Sequence, residues 1–397
     1  METYKLSDLC EILDSKRKPL SALQRAKKQG IYPYYGAQGI IDHLDDYLLD
    51  GEYLLVAEDG ANLETRNQPI ANIAKGKIWV NNHAHVLGSN GKCPLNLLGF
   101  ILNNMNISPY VTGCAQPKLN QENLRNIEIE LPSHIDSIAS ILSSLDRKIE
   151  LNNKINADLE EMAQAIFKNW FVDFEPFKDG KFVDSELGMI PEGWKVSQIA
   201  DIPHILETGK RPKGGAVEKG IPSVGAEHVK GMCAYDYSKT KYINCEFAAK
   251  LKTGKINGYE LMIYKDGGKP GYFIPNFSIF GEGYPFENCY LNEHVFKLDF
   301  DGNKEFNIFC YFFFKTEQIM SYFNAQGAKA AIPGINKKDV ENIYIFSPDN
   351  ESVIKFGEFA YPLFKQMLKN AIENRTLSLL RDTLLPRLMS GELEVPE

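Results

Sequence analysis

The amino-acid sequence predicts an α+β protein with two pseudo-repeated mixed α/β domains and two long antiparallel, coiled-coil-like helices. The first observation is a repeat, because residues 117–132 return as residues 333–348 at a constant offset of 216 (333 − 117). The second is a pair of segments with apolar residues at seven-residue steps. The third is length, since 397 residues, 44% of them hydrophobic, are enough for two cores. A duplicated module indicates one task that is performed twice.

The two predicted domains span residues 1–132 and 194–349. Polar and apolar positions agree within the repeat, as in Asn120 with Asn336. Short apolar strands separated by Gly, Asn and Pro turns dominate each domain. Further matches have a drifting offset, which is expected where loops differ in length. These matched segments are 4–9 with 194–199, 32–37 with 221–226, and 54–60 with 261–267.

The first predicted spacer helix spans residues 133–172. Its length of about 50 Å is too great for its apolar stripe to be buried against one small domain. We expect its antiparallel partner in a distal helical region at residues 350–392. Near the middle of the two stripes, Asn152 and Asn370 are predicted to hydrogen-bond to each other and fix the register. The alternative is that each asparagine lies on a solvated edge. Pro362 should start or kink the distal helix.

Two segments fall outside these elements. Residues 173–193 are rich in Pro, Gly and charge, and this composition predicts a connector between the two halves. Residues 393–397 are predicted to form a short tail.

The composition is typical of a soluble globular protein. No run approaches the roughly 18 apolar residues of a membrane span, and no signal peptide is recognisable, so we expect a cytoplasmic protein without membrane contact. The seven cysteines form an odd set without a Cys-x-x-Cys pair, which argues against disulfides and a thiolate zinc site.

The charge distribution is uneven. A net charge of −8 argues at first against a nucleic-acid partner, because Lys and Arg neutralise phosphates. However, residues 209–269 carry 12 Lys and Arg against 6 Asp and Glu. Such a stretch is by itself more often a solvated face than a binding site.

Recognisable catalytic motifs are absent from the sequence. Neither Gly209-Lys210 nor Gly268-Lys269 has the glycine spacing of a phosphate-binding loop. No nuclease motif follows Pro348-Asp349, and no adenine methyltransferase motif occurs. His83-x-His85 could indicate a metal, but no Cys, His or carboxylate cluster completes a site, so no metal site is predicted. These absences leave binding as the expected activity.

Recurring loops are the best candidates for contact with nucleic acid. Glycine allows close approach of the backbone to phosphate, and Lys and Arg contact phosphates or guanine. The basic loop 208–215 has a counterpart at 15–19, and loop 112–118 has one at 326–331. Asn81-Asn-His83 recurs as Asn292-Glu-His294, as a shared strand position that either contacts the ligand or is structural. The candidate DNA-binding residues are Lys16, Arg17, Lys18, Gly36, Gln38, His83, Thr112, Gly113, Gln116, Lys118, Gly209, Lys210, Arg211, Lys213, Lys265, Lys269, His294, Gln326, Gly327 and Lys329.

Two motifs carry a resemblance to a known family. Trp170-Phe-Val-Asp-Phe-Glu-Pro-Phe with Gly188-Met-Ile-Pro-Glu-Gly-Trp resembles the central conserved region of the specificity subunits of type I restriction-modification systems. Leu384-Leu-Pro-Arg-Leu-Met-Ser-Gly-Glu-Leu looks like their distal conserved region. The resemblance implies two target-recognition domains that each read one half of a bipartite, asymmetric site in double-stranded DNA.

The resemblance also implies partners. Two modification subunits would methylate adenine with S-adenosylmethionine, and restriction subunits would use ATP and Mg²⁺ in host defence. The chain itself would then need no cofactor and carry out no catalysis. Two other hypotheses remain open, an autonomous nuclease with an unrecognised site and a coiled-coil scaffold that binds protein.

Overall fold

The computed structural model describes residues 2–113, 116–132, 134–267, 273–328 and 333–393. The chain divides into two compact units. Unit 1 comprises Met1–Lys148 with Leu377–Glu397, and unit 2 comprises Ile149–Thr376. Each unit contains helices and sheets, so the predicted α+β class is confirmed. None of the helices in the described part of the chain combines the length and apolar character that a membrane span requires.

The largest sheet of unit 1 has six strands. A two-stranded antiparallel sheet accompanies it and pairs Glu2–Lys5 with Glu128–Leu131. The first strand of the unit therefore lies beside the end of the repeated stretch. In spatial order the six strands are Cys10–Ile12, Ala84–Ser89, Leu49–Ala57, Ala71–Val80, Gln29–Gly36 and Gly39–Leu44.

Short helices cover the sheet of unit 1. Leu95–Asn104 packs against strands Leu49–Ala57 and Ala71–Val80, and it buries Leu97 and Leu98 completely. The burial of its leucines away from water is the main stabilising contribution of this helix. The remaining helices are Leu6–Leu9, Ala22–Ala26, Asn62–Thr65 and Gln121–Arg125, with single 3₁₀ turns at Asp14–Lys16 and Ser108–Tyr110.

The described residues of unit 2 form four sheets. Its five-stranded sheet has the spatial order Ile205–Thr208, Val295–Asp299, Leu261–Tyr264, Phe277–Ile279 and Gly231–Met232. A three-stranded sheet has the order Lys241–Ile243, Ile221–Val224 and Tyr290–Leu291. Two further antiparallel pairs are Phe182–Ser185 with Gly188–Pro191, and Val196–Gln198 with Tyr344–Phe346.

The core of unit 2 is rich in aromatic residues. The apolar helix Lys304–Phe314 is buried along most of its length, and the ring centroid of its Phe309 lies 5.3 Å from that of Phe167 and 6.0 Å from that of Phe356. The other helices are Cys245–Ala249, Glu317–Gly327 and Lys337–Glu341, with 3₁₀ turns at Glu175–Phe177, Ile199–Asp201, Ala226–His228 and Tyr237–Lys239.

The segment that the sequence predicts as a connector is folded against unit 2. Residues 173–193 contain the hairpin of Phe182–Ser185 and Gly188–Pro191. The ring of Phe174 lies 5.7 Å from that of Trp194, and Trp194 lies 5.1 Å from Phe346. These aromatic contacts attach the segment to the core of the unit.

Two long helices, Ile135–Phe171 and Glu351–Met389, contribute residues to both units. Within unit 2, Asn152 donates to Asn374 over 2.9 Å, and Asn370 donates to Asn156 over 2.8 Å. Residue numbers therefore rise on one helix as those of the partners fall on the other. The helices are antiparallel within unit 2, as the family resemblance implies.

The predicted hydrogen bond between Asn152 and Asn370 is wrong. Both side chains are buried, at 1% and 4% exposure, so the solvated-edge alternative is also wrong. Asn152 instead donates to Glu373 and Asn374, both over 2.9 Å, while Asn370 bonds to Asn156. The asparagines form a polar layer in which each side chain bonds about one turn away from its expected partner. In antiparallel helices the numbers of two paired residues add up to a constant value, and this pairs Asn152 with Asn374 and Asn156 with Asn370.

Pro362 does not start the distal helix, because that helix begins at Glu351 and continues past the proline. Proline inside a helix removes one backbone hydrogen bond and crowds the preceding turn. Packing over 39 residues outweighs this local penalty.

The repeat is structural as well as sequential, with one change of register at its start. The N–H of Leu6 donates to the carbonyl of Ile127, and the N–H of Ile199 donates to that of Ile343. Since Ile127 and Ile343 are matched residues, Leu6 is equivalent to Ile199. The predicted match of residues 4–9 with 194–199 is therefore wrong by three positions. A short amphipathic pattern allows such a slip.

Candidate nucleic-acid interface

Five loops meet at one place in each unit, and we call each set a loop cluster. In unit 1 the cluster consists of residues 15–18, 36–38, 58–60, 81–83, and 112–113 with 116–118. In unit 2 it consists of residues 209–213, 225–228, 265–267, 292–294, and 326–328 with 333–334. The candidate residues that the structure describes lie in these loops, apart from the two helical asparagines.

Backbone hydrogen bonds hold the loop cluster of unit 1 together. They join loops that are far apart in the sequence, so the cluster depends on the whole unit. Donor first, four of these bonds are Glu58 to His83 (2.9 Å), Gly60 to Pro117 (3.1 Å), Asn81 to Tyr35 (3.1 Å) and Lys18 to Val80 (3.1 Å).

The loop cluster of unit 2 repeats three of these bonds. Donor first, they are Lys265 to His294 (3.1 Å), Gly267 to Pro333 (2.9 Å) and Asn292 to Val224 (3.0 Å). The fourth bond has no equivalent because Pro212 occupies the position of Lys18 and has no N–H. The shared pattern identifies the corresponding residues of the two units without reference to side chains.

A histidine and an aspartate are hydrogen-bonded at the same position of each cluster. The Nδ1 atom of His83 lies 2.8 Å from Oδ2 of Asp59, and Nδ1 of His294 lies 2.5 Å from Oδ1 of Asp266. The backbone N–H of each histidine donates to the side-chain oxygen of an asparagine, over 2.7 Å to Asn81 in unit 1. In unit 2 the equivalent distance, to Asn292, is 2.9 Å.

The pKa of Asp266 lies below its usual value. Burial of the carboxyl raises the pKa, but hydrogen bonds from Lys265 and His294 lower it further than burial raises it. Asp266 is therefore ionised at neutral pH and can only accept hydrogen bonds, so Nδ1 of His294 carries the proton between them. This proton placement leaves Nε2 of His294 as the ring nitrogen for other partners.

One arginine differs in its surroundings between the two clusters. Arg17 and Arg211 occupy equivalent positions, but the Arg17 side chain is 15% exposed and that of Arg211 is 54% exposed. Arg17 forms ion pairs with Asp14 at 3.2 Å and Glu58 at 2.6 Å. Its charge is thus neutralised within unit 1.

Arg211 lacks the two acidic partners that Arg17 has, because Thr208 and Lys265 stand at the positions of Asp14 and Glu58. Its guanidinium instead lies beside Glu293, at 2.9 Å, and beside Nε2 of His294, at 3.2 Å. Unit 2 therefore presents an accessible guanidinium next to its histidine, and unit 1 does not present Arg17 in this way.

Lys118 is an exposed cation of the loop cluster of unit 1. Its ammonium lies 3.2 Å from Glu58, and its backbone pairs with Thr112 in both directions, over 2.7 and 2.8 Å. The predicted loop 112–118 is thus anchored at its two ends. Gly334 replaces this lysine in unit 2, so the cations of the two clusters differ in position.

The candidates differ in how far the structure buries them. Gly36, Gly209 and Gly327 are buried, which removes the physical basis for predicting that they touch DNA. A Cβ on Gly327, the last residue of helix Glu317–Gly327, would lie 2.4 Å from the ring of Phe273, so this glycine serves packing. Lys269 and Lys329 lie outside the described residues. The exposed candidates are Lys16, Lys18, Gln38, His83, Thr112, Gly113, Gln116, Lys118, Lys210, Arg211 and Lys213, and Arg17, Lys265, His294 and Gln326 are half-buried.

Four residues that orient the candidate histidines are not among the residues predicted from the sequence to bind DNA. Asp59 and Asp266 appear in the matched Asp-Gly turns, and Asn81 and Asn292 begin the matched turns before the histidines. The sequence contains a signal for these four residues, because each recurs at the matched position of the other unit. What the sequence does not show is that the two turns meet.

Comparisons with known proteins show which family the chain resembles. Residues 1–161 match the family described as Type I restriction modification DNA specificity domain. The chain is 33% identical over 294 residues to the type I restriction enzyme MjaIX specificity subunit of Methanocaldococcus jannaschii. The chain belongs to the family of type I restriction enzyme specificity subunits. The match covers 72% of the chain and 65% of that subunit, so the chain spans less than two thirds of this relative's length.

Other members of the specificity subunit family are more distant. The chain is 26% identical over 338 residues to the type I restriction enzyme HindI specificity subunit of Haemophilus influenzae, covering 70% of the chain and 71% of that subunit. A solved S subunit from M. genitalium matches 100% of the chain and 96% of its own length with a TM-score of 0.53. At 14% identity, this likeness supports the fold alone.

Proposed function

We propose that the chain is the DNA-recognition subunit of a type I restriction-modification complex, in which each unit reads one half of a bipartite, asymmetric DNA site. The duplicated loop cluster is the observation that carries this proposal. Three backbone hydrogen bonds are common to the two clusters, while the exposed cations differ. A shared frame with different side chains suits two readers of different DNA sequences, because base contacts specify and the frame positions them.

The proposal includes partner subunits. Two modification subunits would supply adenine methylation with S-adenosylmethionine, and restriction subunits would supply ATP- and Mg²⁺-dependent cleavage. This chain would contribute recognition and no catalysis, and it would work in the cytoplasm. Its net charge of −8 favours an assembly in which the partners make many of the phosphate contacts. The isolated chain should accordingly bind DNA weakly at physiological salt.

Sequencing of methylated adenines in cells with and without the chain tests the proposal. We expect one asymmetric, bipartite motif to lose methylation when the chain is absent and to regain it when the chain is supplied again. A motif that stays methylated without the chain would contradict the proposal. The coiled-coil scaffold hypothesis predicts that result, together with no salt-dependent affinity for DNA.

A further inference from the structure

We infer that His83 and His294 are equivalent DNA contacts of the two units and that Asp59 and Asp266 are the positioning residues that orient them. This inference rests on the proposed function and names the side chains that carry out the same step in each half. The chemical class of the contact is a hydrogen bond that Nε2 of the imidazole accepts from an amino group at a base edge, because Nδ1 carries the ring proton.

The geometry fixes the Nδ1 side of each ring, and Nε2 of His294 also lies 3.2 Å from Nη2 of Arg211 and 3.2 Å from Oε1 of Glu293. Nδ1 is held by the aspartate, and the backbone N–H is held by the asparagine. A histidine held in this way keeps its tautomer and ring orientation, as a preorganised contact requires. The side chain of His83 is half exposed, so its Nε2 side is open to a ligand.

The differences between the two units around the histidine and aspartate support a functional role for the histidine. Around the pair, Glu58 is replaced by Lys265 and Lys118 by Gly334, which changes the local charge. The histidine, aspartate and asparagine remain the same in both units. Packing alone does not require a histidine at a half-exposed position, because neighbouring turns are already joined by backbone bonds.

Unit 2 adds a second group to the same contact. Nη2 of Arg211 lies 3.2 Å from Nε2 of His294, so a guanidinium lies beside the imidazole, and a base amino group would replace Arg211 as the donor to Nε2. Arginine pairs with the two acceptors of guanine or with phosphate. In unit 1 the equivalent Arg17 is engaged by Asp14 and Glu58, so His83 acts without it.

Asparagine and glutamine substitutions separate a DNA contact from a structural link. The amide of asparagine reaches about as far as Nδ1, so His83→Asn keeps the bond to Asp59 and loses the Nε2 group. The amide of glutamine reaches about as far as Nε2, so His83→Gln keeps a group at the ligand position and loses the bond to Asp59.

The test measures adenine methylation genome-wide in cells in which each variant replaces the chain. We expect His83→Asn to lower methylation at the motif on the order of tenfold or more, or to relax one base of one half-site, and His83→Gln to retain more function. Relaxation at one base of the half-site identifies the base whose amino group Nε2 contacts. Normal methylation with His83→Asn, or a greater loss with His83→Gln, would overturn the inference.

The same pair of substitutions at His294 provides the matched control. We expect His294→Asn to affect only the half-site that His83→Asn leaves unchanged. The substitutions at His83 and those at His294 should therefore alter different halves of the motif. Changes in the same half would overturn the inference, whereas a motif that never depends on the chain would overturn the proposed function instead. If the substitutions at one histidine prevent folding, those at the other still test the contact.

The positioning role of Asp59 is tested by combining substitutions. Asp59→Ala should impair the same half-site as His83→Asn in the otherwise unchanged chain, and it should add nothing in the His83→Asn background. A purely structural aspartate would instead reduce function by the same factor in both backgrounds, and that result would remove Asp59 from the proposal.

Discussion

Gly209 illustrates how the structure changes the interpretation of a single residue. The sequence places it in a basic loop, where a glycine suits close approach to phosphate. In the structure it is buried, and a Cβ at this position would lie 1.5 Å from the carbonyl oxygen of Leu291. The absence of a side chain is therefore required by the fold of unit 2.

Replacement of Gly209 by alanine should destabilise unit 2. We expect the free energy of unfolding to fall by about 1–3 kcal/mol, because the added methyl group meets backbone that cannot move freely. Gly214→Ala in the same loop is the control, since nothing lies within 4 Å of its Cβ position. Chemical denaturation measures both variants, and equal stabilities would contradict the packing role.

Asp14 makes the stability of unit 1 dependent on pH. Burial raises the pKa of this carboxyl, but hydrogen bonds from His85 and the backbone of Val86 and the charge of Arg17 lower it below the usual 3.8. A carboxyl whose pKa is lowered by folding stabilises the fold above its usual pKa. That stabilisation is lost as the pH falls through the lower value in the folded chain.

Substitution of Asp14 by asparagine tests this dependence. At pH 7 the variant should lose about 1–3 kcal/mol of unfolding free energy, because it removes a charge-assisted hydrogen bond. The difference from the unchanged chain should shrink as the pH falls below about 4. Asp50→Asn is the control at an exposed position. A difference that stays constant from pH 7 to pH 3 in thermal unfolding would contradict the argument.

At the level of elements, the sequence predicts the long helices better than their contacts. Heptad spacing identifies both helices and their need for a partner, because the period is a local property, whereas their antiparallel direction follows from the family resemblance. It does not identify the partner of each asparagine, since the axial offset between two helices is set by all their contacts together. The buried, phenylalanine-rich helix Lys304–Phe314 also escaped recognition, because an apolar run has no clear period.

The polar layer between the long helices should contribute to stability. Asn370→Ala removes the hydrogen bond to Asn156 and leaves a polar atom without its partner in a buried position. We expect the free energy of unfolding to fall by about 1–3 kcal/mol. Lys369→Ala, at the exposed neighbouring position, should have little effect. Calorimetry that shows the same melting temperature for the two variants would exclude this role.

At the scale of the whole molecule, we propose that the paired helices set the number of base pairs between the two half-sites. Insertion of seven residues after Lys154 and after Ala371 preserves the heptad pattern and adds about 10 Å to each helix. We expect the spacer in the methylated motif to lengthen by about three base pairs while each half-site stays the same, because DNA rises about 3.4 Å per base pair.

Insertion in only one helix is the control for the spacer experiment. It leaves the two helices with different lengths and should abolish methylation, because their apolar stripes no longer match. An unchanged spacer in the motif of the doubly extended chain would show that other contacts determine the spacing.

The duplication and the family are readable from the sequence, and the loop clusters are not. Repeated residues and conserved-region motifs are local, so they identify two modules and the helices after them. The meeting of Asp59 with His83, or the different surroundings of Arg17 and Arg211, depends on contacts between distant segments. Prediction from residue type alone therefore treated buried glycines and exposed lysines as equal candidates.

Exchange of one module tests the central claim most directly. Residues 1–132 of the chain would be replaced by the corresponding segment of another specificity subunit, and methylated adenines would be sequenced in cells that contain the partner subunits. We predict a new motif in which one half-site changes while the other half-site and the spacer remain. A motif that changes in both halves, or in neither, would contradict the claim that each unit reads its own half of the site.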